Sequence, residues 1–142
     1  MPYQYLENVT TADVAFEAWG KDPEELFISA AEATVNVMIS DLSQIEPKRK
    51  IEIALKNSQL DMLLINWLQE IIYYKDSQDL LLRPGRLAIQ RNGEYLLEAE
   101  LQGEEIDPQK HDLLTDVKSA TFHKFKLERE GERWMARLVL DV

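Results

Sequence analysis

The chain has 142 residues, 45% of them apolar, a formal charge of −10 and no cysteine. That length suits one domain with its own core, and the missing thiols exclude a disulfide scaffold, a thiolate metal site and a cysteine nucleophile. The acidic balance argues against a direct grip on RNA or DNA, whose phosphates need a basic patch, and favours a cation or a basic protein partner.

No basic start followed by an apolar run opens the chain, and no apolar run is long enough to span a bilayer, so a cytoplasmic protein is expected. Pro2–Leu6 reads as a short strand-like lead. From Ala12 the pattern alternates: Val14, Phe16 and Ala18 face one way, and Asp13, Ala15, Glu17 and Trp19 the other, until Gly20 ends the strand. Asp22-Pro23-Glu24-Glu25 starts a helix, with Asp22 as cap and Pro23 in the first turn. Leu26, Ala30, Ala33 and Val37 carry its apolar stripe toward Ser40, and Asp41–Lys48 is a turn-rich connection. Lys50–Lys56 alternates as a second strand. Ser58 is the expected cap of a second helix, Leu60–Tyr74, which Asp76–Asp79 ends. Its broad apolar arc (Leu60, Leu64, Trp67, Leu68, Ile71) predicts that it is the more buried helix.

Leu80–Arg91 reads as a strand interrupted at Pro84-Gly85 and joined through Asn92-Gly93 to a strand Glu94–Gln102. A three-residue loop, Arg91-Asn92-Gly93, sets Ile89 opposite Tyr95, Leu87 opposite Leu97 and Arg86 opposite Glu98, with Gly93 left-handed. Gly103–Leu114 is a polar loop. Val117–Glu130 is a long strand whose alternation slips near His123-Lys124, the mark of a β-bulge. The last strand is Arg133–Val142. Trp134, Ala136, Leu138, Leu140 and Val142 point inward, and Asp141 lies on the opposite face. The fold class is α+β: two main helices packed on a mixed, largely antiparallel sheet, in the order β-α-β-α-β-β-β-β, as one domain over residues 1–142.

Phosphate-loop, dinucleotide and nucleophile-elbow motifs are absent, and His111 and His123 have no zinc-type spacing. A metal-dependent hydrolase therefore lacks a recognisable nucleophile or base, and a stand-alone enzyme is not expected. Asp13 and Asp141 stand out because each ends an apolar strand. The spacing leaves open both a shared hard-cation site and two ordinary solvated acids. A terminal carboxylate on Val142 would add another oxygen. Lys118 reads as a strand lysine, solvated or paired across the sheet. His111 is expected at the surface or capping its loop, and His123 at the bulge. Trp19, Trp67 and Trp134 are expected in the core or at its edge.

Several dispersed segments add up in order. Thr11-Ala12-Asp13 leads into a strand ending Trp19-Gly20, and Pro23-Glu24-Glu25-Leu26-Phe27 opens a helix. L-L-I-N-W-L-Q-E-I-I spans Leu63–Ile72. Then come Gly103-Glu104, Asp107-Pro108-x-Lys110-His111, Val117-Lys118-x-x-Thr121-x-His123 and Leu140-Asp141-Val142. Along nearly its whole length the chain resembles the archease family. That resemblance implies an activator, not itself an enzyme, of the GTP-dependent RNA ligase that joins 3′-phosphate or 2′,3′-cyclic-phosphate ends to 5′-hydroxyl ends. It implies faster ligase guanylylation and sustained turnover, in tRNA splicing or RNA repair, with RNA engaged only indirectly. It also implies a divalent metal, calcium or the magnesium or manganese of a ligase complex, on Asp13, Asp141 and Val142, and a required lysine at Lys118. His123 and Thr10 are further candidates. The family motif usually reads H-T-A-D, whereas this chain has Thr10-Thr11-Ala12-Asp13, and a threonine supplies no imidazole. A chaperone-like protein-binding module is the competing expectation.

Overall fold

Rows of apolar side chains running across neighbouring strands set the register of the whole molecule. The computed structural model describes residues 2–7 and 13–142. Its strands are β1 (Tyr3–Leu6), β2 (Val14–Gly20), β3 (Arg49–Asn57), β4 (Leu80–Asn92), β5 (Glu94–Glu105), β6 (Ser119–Glu130) and β7 (Arg133–Asp141). Its helices are α1 (Pro23–Met38) and α2 (Leu60–Gln78). The strands form two sheets, in the orders β1-β2-β7-β6 and β3-β5-β4, with every neighbouring pair antiparallel. The α+β class and the element order hold. Two sheets replace one because each helix serves both. α1 touches β1, β2 and β7 of the first and β4 of the second, and α2 touches β6 of the first and β3, β4 and β5 of the second.

Helix α1 starts as its sequence predicts: the Asp22 carboxylate accepts the Glu25 N–H at 2.8 Å. It is α1, not α2, that is buried nearly all round. Its Ser29, Ala30, Ala31, Ala33 and Thr34 are small enough to let both sheets approach, so residues outside the apolar stripe are covered as well. Helix α2 leaves Met62 and Tyr73 exposed. It runs four residues past Tyr74, ending where Asp79 takes a left-handed φ of 54°. Ser58 does not cap it; Gln59 occupies that position without a side-chain bond. Trp67 is fully buried, and its indole N–H donates to the Phe27 carbonyl at 2.9 Å, tying α2 to the backbone of α1.

The β4–β5 hairpin carries Gly93 at its tip with φ 77°, as expected, but its register differs from the expected one. Ile89 faces Leu97 and Leu87 faces Ala99. The third strand decides this. Leu55–Leu97–Ile89 and Ile53–Ala99–Leu87 form continuous apolar rows across β3, β5 and β4. Arg86 bonds Glu52 at 3.0 Å instead of sitting across from Glu98. The Pro84-Gly85 interruption is a register shift between Pro84 and Leu87. The strand β5 continues through Gly103 to Glu105, into what reads as loop. There Gly103 is held between Arg49 and Leu82, and a Cβ would collide with the Leu81 carbonyl.

Beyond β5 the chain is anchored by Glu104, only 5% exposed. Glu104 accepts from the Glu46 N–H at 2.8 Å and from the Lys110 ammonium at 2.8 Å. His111 Nδ1 accepts the Asp107 N–H at 2.9 Å, which leaves the Nε2 proton to donate to Glu104 at 3.0 Å. His111 thus caps its loop, but from a buried position. Burial by itself would raise the Glu104 pKa. The donors around it outweigh that and hold it down at about 2, against an ordinary 4.5. Among the described residues no helix is long and apolar enough to cross a membrane.

Two outcomes follow. Gly103→Ala forces β4 and β5 apart and lowers stability by about 3 kcal/mol, read as a lower urea midpoint. Glu104 has a depressed folded pKa, so its contribution is whole above 4.5 and is lost as pH falls from there toward 2. The stability gap between wild type and Glu104→Gln therefore narrows over that range in parallel urea titrations.

Candidate functional site at one end of the four-stranded sheet

Strands β2 and β7 come from opposite ends of the chain and lie side by side. Their ladder runs from Gly20↔Trp134 to Val14↔Leu140. Phe16, Ala18, Ala136, Leu138 and Leu140 are fully buried on the helix-facing side, which fixes the alternation of both strands. Asp141 consequently falls on the other face, in line with Val139 and Arg137, where Arg137 pairs with Glu17 at 3.1 Å. One position beyond the Val14↔Leu140 pair stand Asp13 and Asp141, both partly buried. The register thus sets the two aspartates at adjacent positions on neighbouring strands.

Lys118 reaches the same place from β6. Its N–H donates to the Asp141 carbonyl at 2.8 Å, and the next residue, Ser119, is the ladder partner of Asp141. Lys118 immediately precedes β6 instead of lying within it, because the regular ladder begins at Ser119. Its side chain is exposed, while Val117 beside it is fully buried. Val142 is partly buried and packs against the core, as its inward phase predicts.

His123 is not brought to this point. The slip in β6 is a bulge between Thr121 and Lys126: there β6 holds Phe122–Phe125 while β7 holds only Leu138. Lys124 takes a φ of 52° inside it. His123 is exposed, with its N–H directed to Thr121 Oγ1 at 3.3 Å. Thr10 lies outside the described residues.

The segment leading into Lys118 is strapped to the helices. Leu114 N–H donates to Met38 O at 2.8 Å, Thr115 N–H to Val37 O at 3.1 Å, and Ile39 bridges Leu113. Asp116 pairs with Lys75 of α2, and Ala120 N–H donates to Gln69 Oε1 at 2.7 Å. Sequence reading passed over both α2 residues. Lys75 had a visible signal, since it continues the apolar stripe Leu64, Leu68, Ile71 at helical spacing, yet is charged. Burial pushes its ammonium toward neutrality, but the Asp116 and Asp76 carboxylates reverse that and hold its pKa above the usual lysine value.

Chemically, two carboxylates at adjacent positions are hard oxygen donors of the type calcium, magnesium and manganese take. Among the described residues no three His, Cys, Asp or Glu side chains gather as a metal cluster. A cation between Asp13 and Asp141 would therefore draw further oxygens from the main chain at Val142, from water or from a partner.

Comparison with known proteins accords with this fold. Residues 3–142 match the model of the Archease protein family (MTH1598/TM1083). The protein archease of Methanopyrus kandleri is 34% identical over 143 residues, covering all of both chains. That of Pyrococcus furiosus is 36% identical over 134 residues, covering 93% of this chain and 94% of its own. The solution structure of Methanobacterium thermoautotrophicum protein 1598 superposes with a TM-score of 0.85 at 29% identity, over 99% of both chains. The Thermotoga maritima archease structure, described as a possible chaperone, has a TM-score of 0.66 at 23% identity and covers 94% of this chain and 93% of its own. The chain belongs to the archease family.

Proposed function

We propose that this protein is a cytoplasmic activator of a GTP-dependent RNA ligase that joins 3′-phosphate or 2′,3′-cyclic-phosphate ends to 5′-hydroxyl ends, raising ligase guanylylation and turnover in tRNA splicing or RNA repair. The observation that carries the reading is the convergence of Asp13, Asp141 and Lys118 at one end of the four-stranded sheet, through the Val14↔Leu140 register and the Lys118 N–H bond to Asp141. Membership of the archease family supports the reading.

In this reading Asp13 and Asp141, with a main-chain oxygen of Val142, hold a divalent cation, calcium or the magnesium or manganese of the ligase complex. Such a cation neutralises phosphate charge and orients a triphosphate for transfer. The exposed ammonium of Lys118 contacts a phosphate oxygen or a ligase carboxylate beside it. The chain contributes fixed charge at the ligase and takes no covalent part. Its charge of −10 fits a partner that acts on the protein component and meets RNA only through it.

A second reading is a protein-binding module of chaperone type. The description of the Thermotoga maritima relative favours it, as do the exposed Leu114 and Phe122 side chains.

The two readings separate in one set of assays. Asp13→Ala and Lys118→Ala each lower stimulation of ligase guanylylation at least about tenfold, with the melting temperature shifted by no more than about 3 °C. Full stimulation by either folded variant rejects the site. Calorimetric titration with calcium or manganese shows weaker binding to Asp141→Asn than to wild type, and equal binding rejects the carboxylate pair. A chaperone suppresses aggregation of unrelated clients and retains that effect in Asp13→Ala and Lys118→Ala, whereas an activator alters only its ligase.

A further inference from the structure

Among the described residues Lys118 has no side-chain partner, yet its segment is held on both flanks by one helix. Two residues before it, Asp116 pairs with Lys75. Two residues after it, the Ala120 N–H donates to Gln69 Oε1 at 2.7 Å. Between these grips, Lys118 N–H is bonded to the Asp141 carbonyl, and Val117 is fully buried. Among the described residues strand β6 is an edge of its sheet, and where a further strand would satisfy the Ala120 N–H the Gln69 amide oxygen does so.

We propose that Gln69 and Lys75 of α2 are positioning residues that present the Lys118 ammonium beside Asp141. This rests on the activator reading and names how that site is kept in register. A purely stabilising role would not select a lysine at 75. That position lies on the apolar stripe and is 6% exposed, and an apolar residue of similar size there avoids the cost of burying an ammonium whose carboxylate partners are largely exposed. What the ion pair adds is location. It couples Asp116 to one turn of α2, whose own seat is fixed independently by Trp67 bonded to α1. Gln69 does the same on the far flank. The two grips keep the segment from sliding along the edge of the sheet, where a slip of one residue would turn Lys118 to the opposite face.

The test uses the full chain with a GTP-dependent RNA ligase, reading maximal stimulation and half-maximal concentration separately. Gln69→Leu removes the acceptor, and Gln69→Glu keeps one at the same reach. Asp116→Asn weakens one partner of Lys75 while Asp76, bonded to it at 2.5 Å, remains. Gln69→Leu is expected to speed amide exchange at Ala120 about tenfold. Gln69→Leu and Asp116→Asn are each expected to lower maximal stimulation severalfold at an unchanged melting temperature and half-maximal concentration, and Gln69→Glu to restore it. Full maximal stimulation by the double variant Gln69→Leu/Asp116→Asn overturns the proposal, as does an equal loss in Gln69→Glu. If Lys118→Ala itself stimulates fully, the activator reading at Lys118 falls and takes the positioning role with it. If Lys118→Ala is inactive while the α2 variants are fully active, only the positioning role falls.

Discussion

The pairing of β2 with β7 is the constraint on which everything else depends. It brings the first long strand of the chain against the last, so nearly all of the sequence must be closed into one loop before the ladder can form. The entropy of that closure grows only slowly with length, by about 0.6 kcal/mol per doubling, so apolar burial can offset it. The residues that do so are Phe16, Ala18, Ala136, Leu138 and Leu140, all fully buried against the helices. The same residues fix which face Asp141 takes. The placement of Asp13 beside Asp141 is thus a by-product of core packing.

The helical layer imposes the second constraint. α1 lies against strands of both sheets and is built largely from alanine, serine and threonine along the sides that a surface helix would leave to water. Larger residues there would drive the sheets apart. Gly103 makes the matching demand in the second sheet, where the Leu81 carbonyl occupies the space of a side chain. These two close approaches let two sheets share one pair of helices, and so let α2 reach the edge strand that Lys118 leads into.

Much of this was legible in the residues, and the limits have physical causes. The Asp22-Pro23 cap, the left-handed Gly93 and the bulge after Thr121 are local features, and local sequence suffices for them. The hairpin register is not local: two strands judged alone leave several acceptable pairings, and β3 removes the ambiguity. The relative burial of the helices depends on how many sheets surround them, which no stripe of one helix reports. In the site, alternation alone placed Asp141 on its face, and the register brings Asp13 alongside it. Lys75 shows as a charge on an apolar stripe, but its partner Asp116, like Ala120, the partner of Gln69, lies far away in sequence, so neither contact is legible there.

Position 10, which lies outside the described residues, is threonine. The resemblance drawn from the sequence implies a histidine there, a group able to take and return a proton near neutrality. Threonine offers a hydroxyl that does not titrate in water. His123 cannot substitute by position, since Ser119 is the ladder partner of Asp141 and His123 lies beyond it in the bulge. Among the described residues, backbone geometry brings Asp13, Asp141 and Lys118 to one end of the sheet. In the proposed function such a set would arrange charge around a phosphate or a cation, with no proton transfer required of it. On the positioning proposal, the strap that holds Lys118 matters because the interaction between two charges weakens as their separation grows.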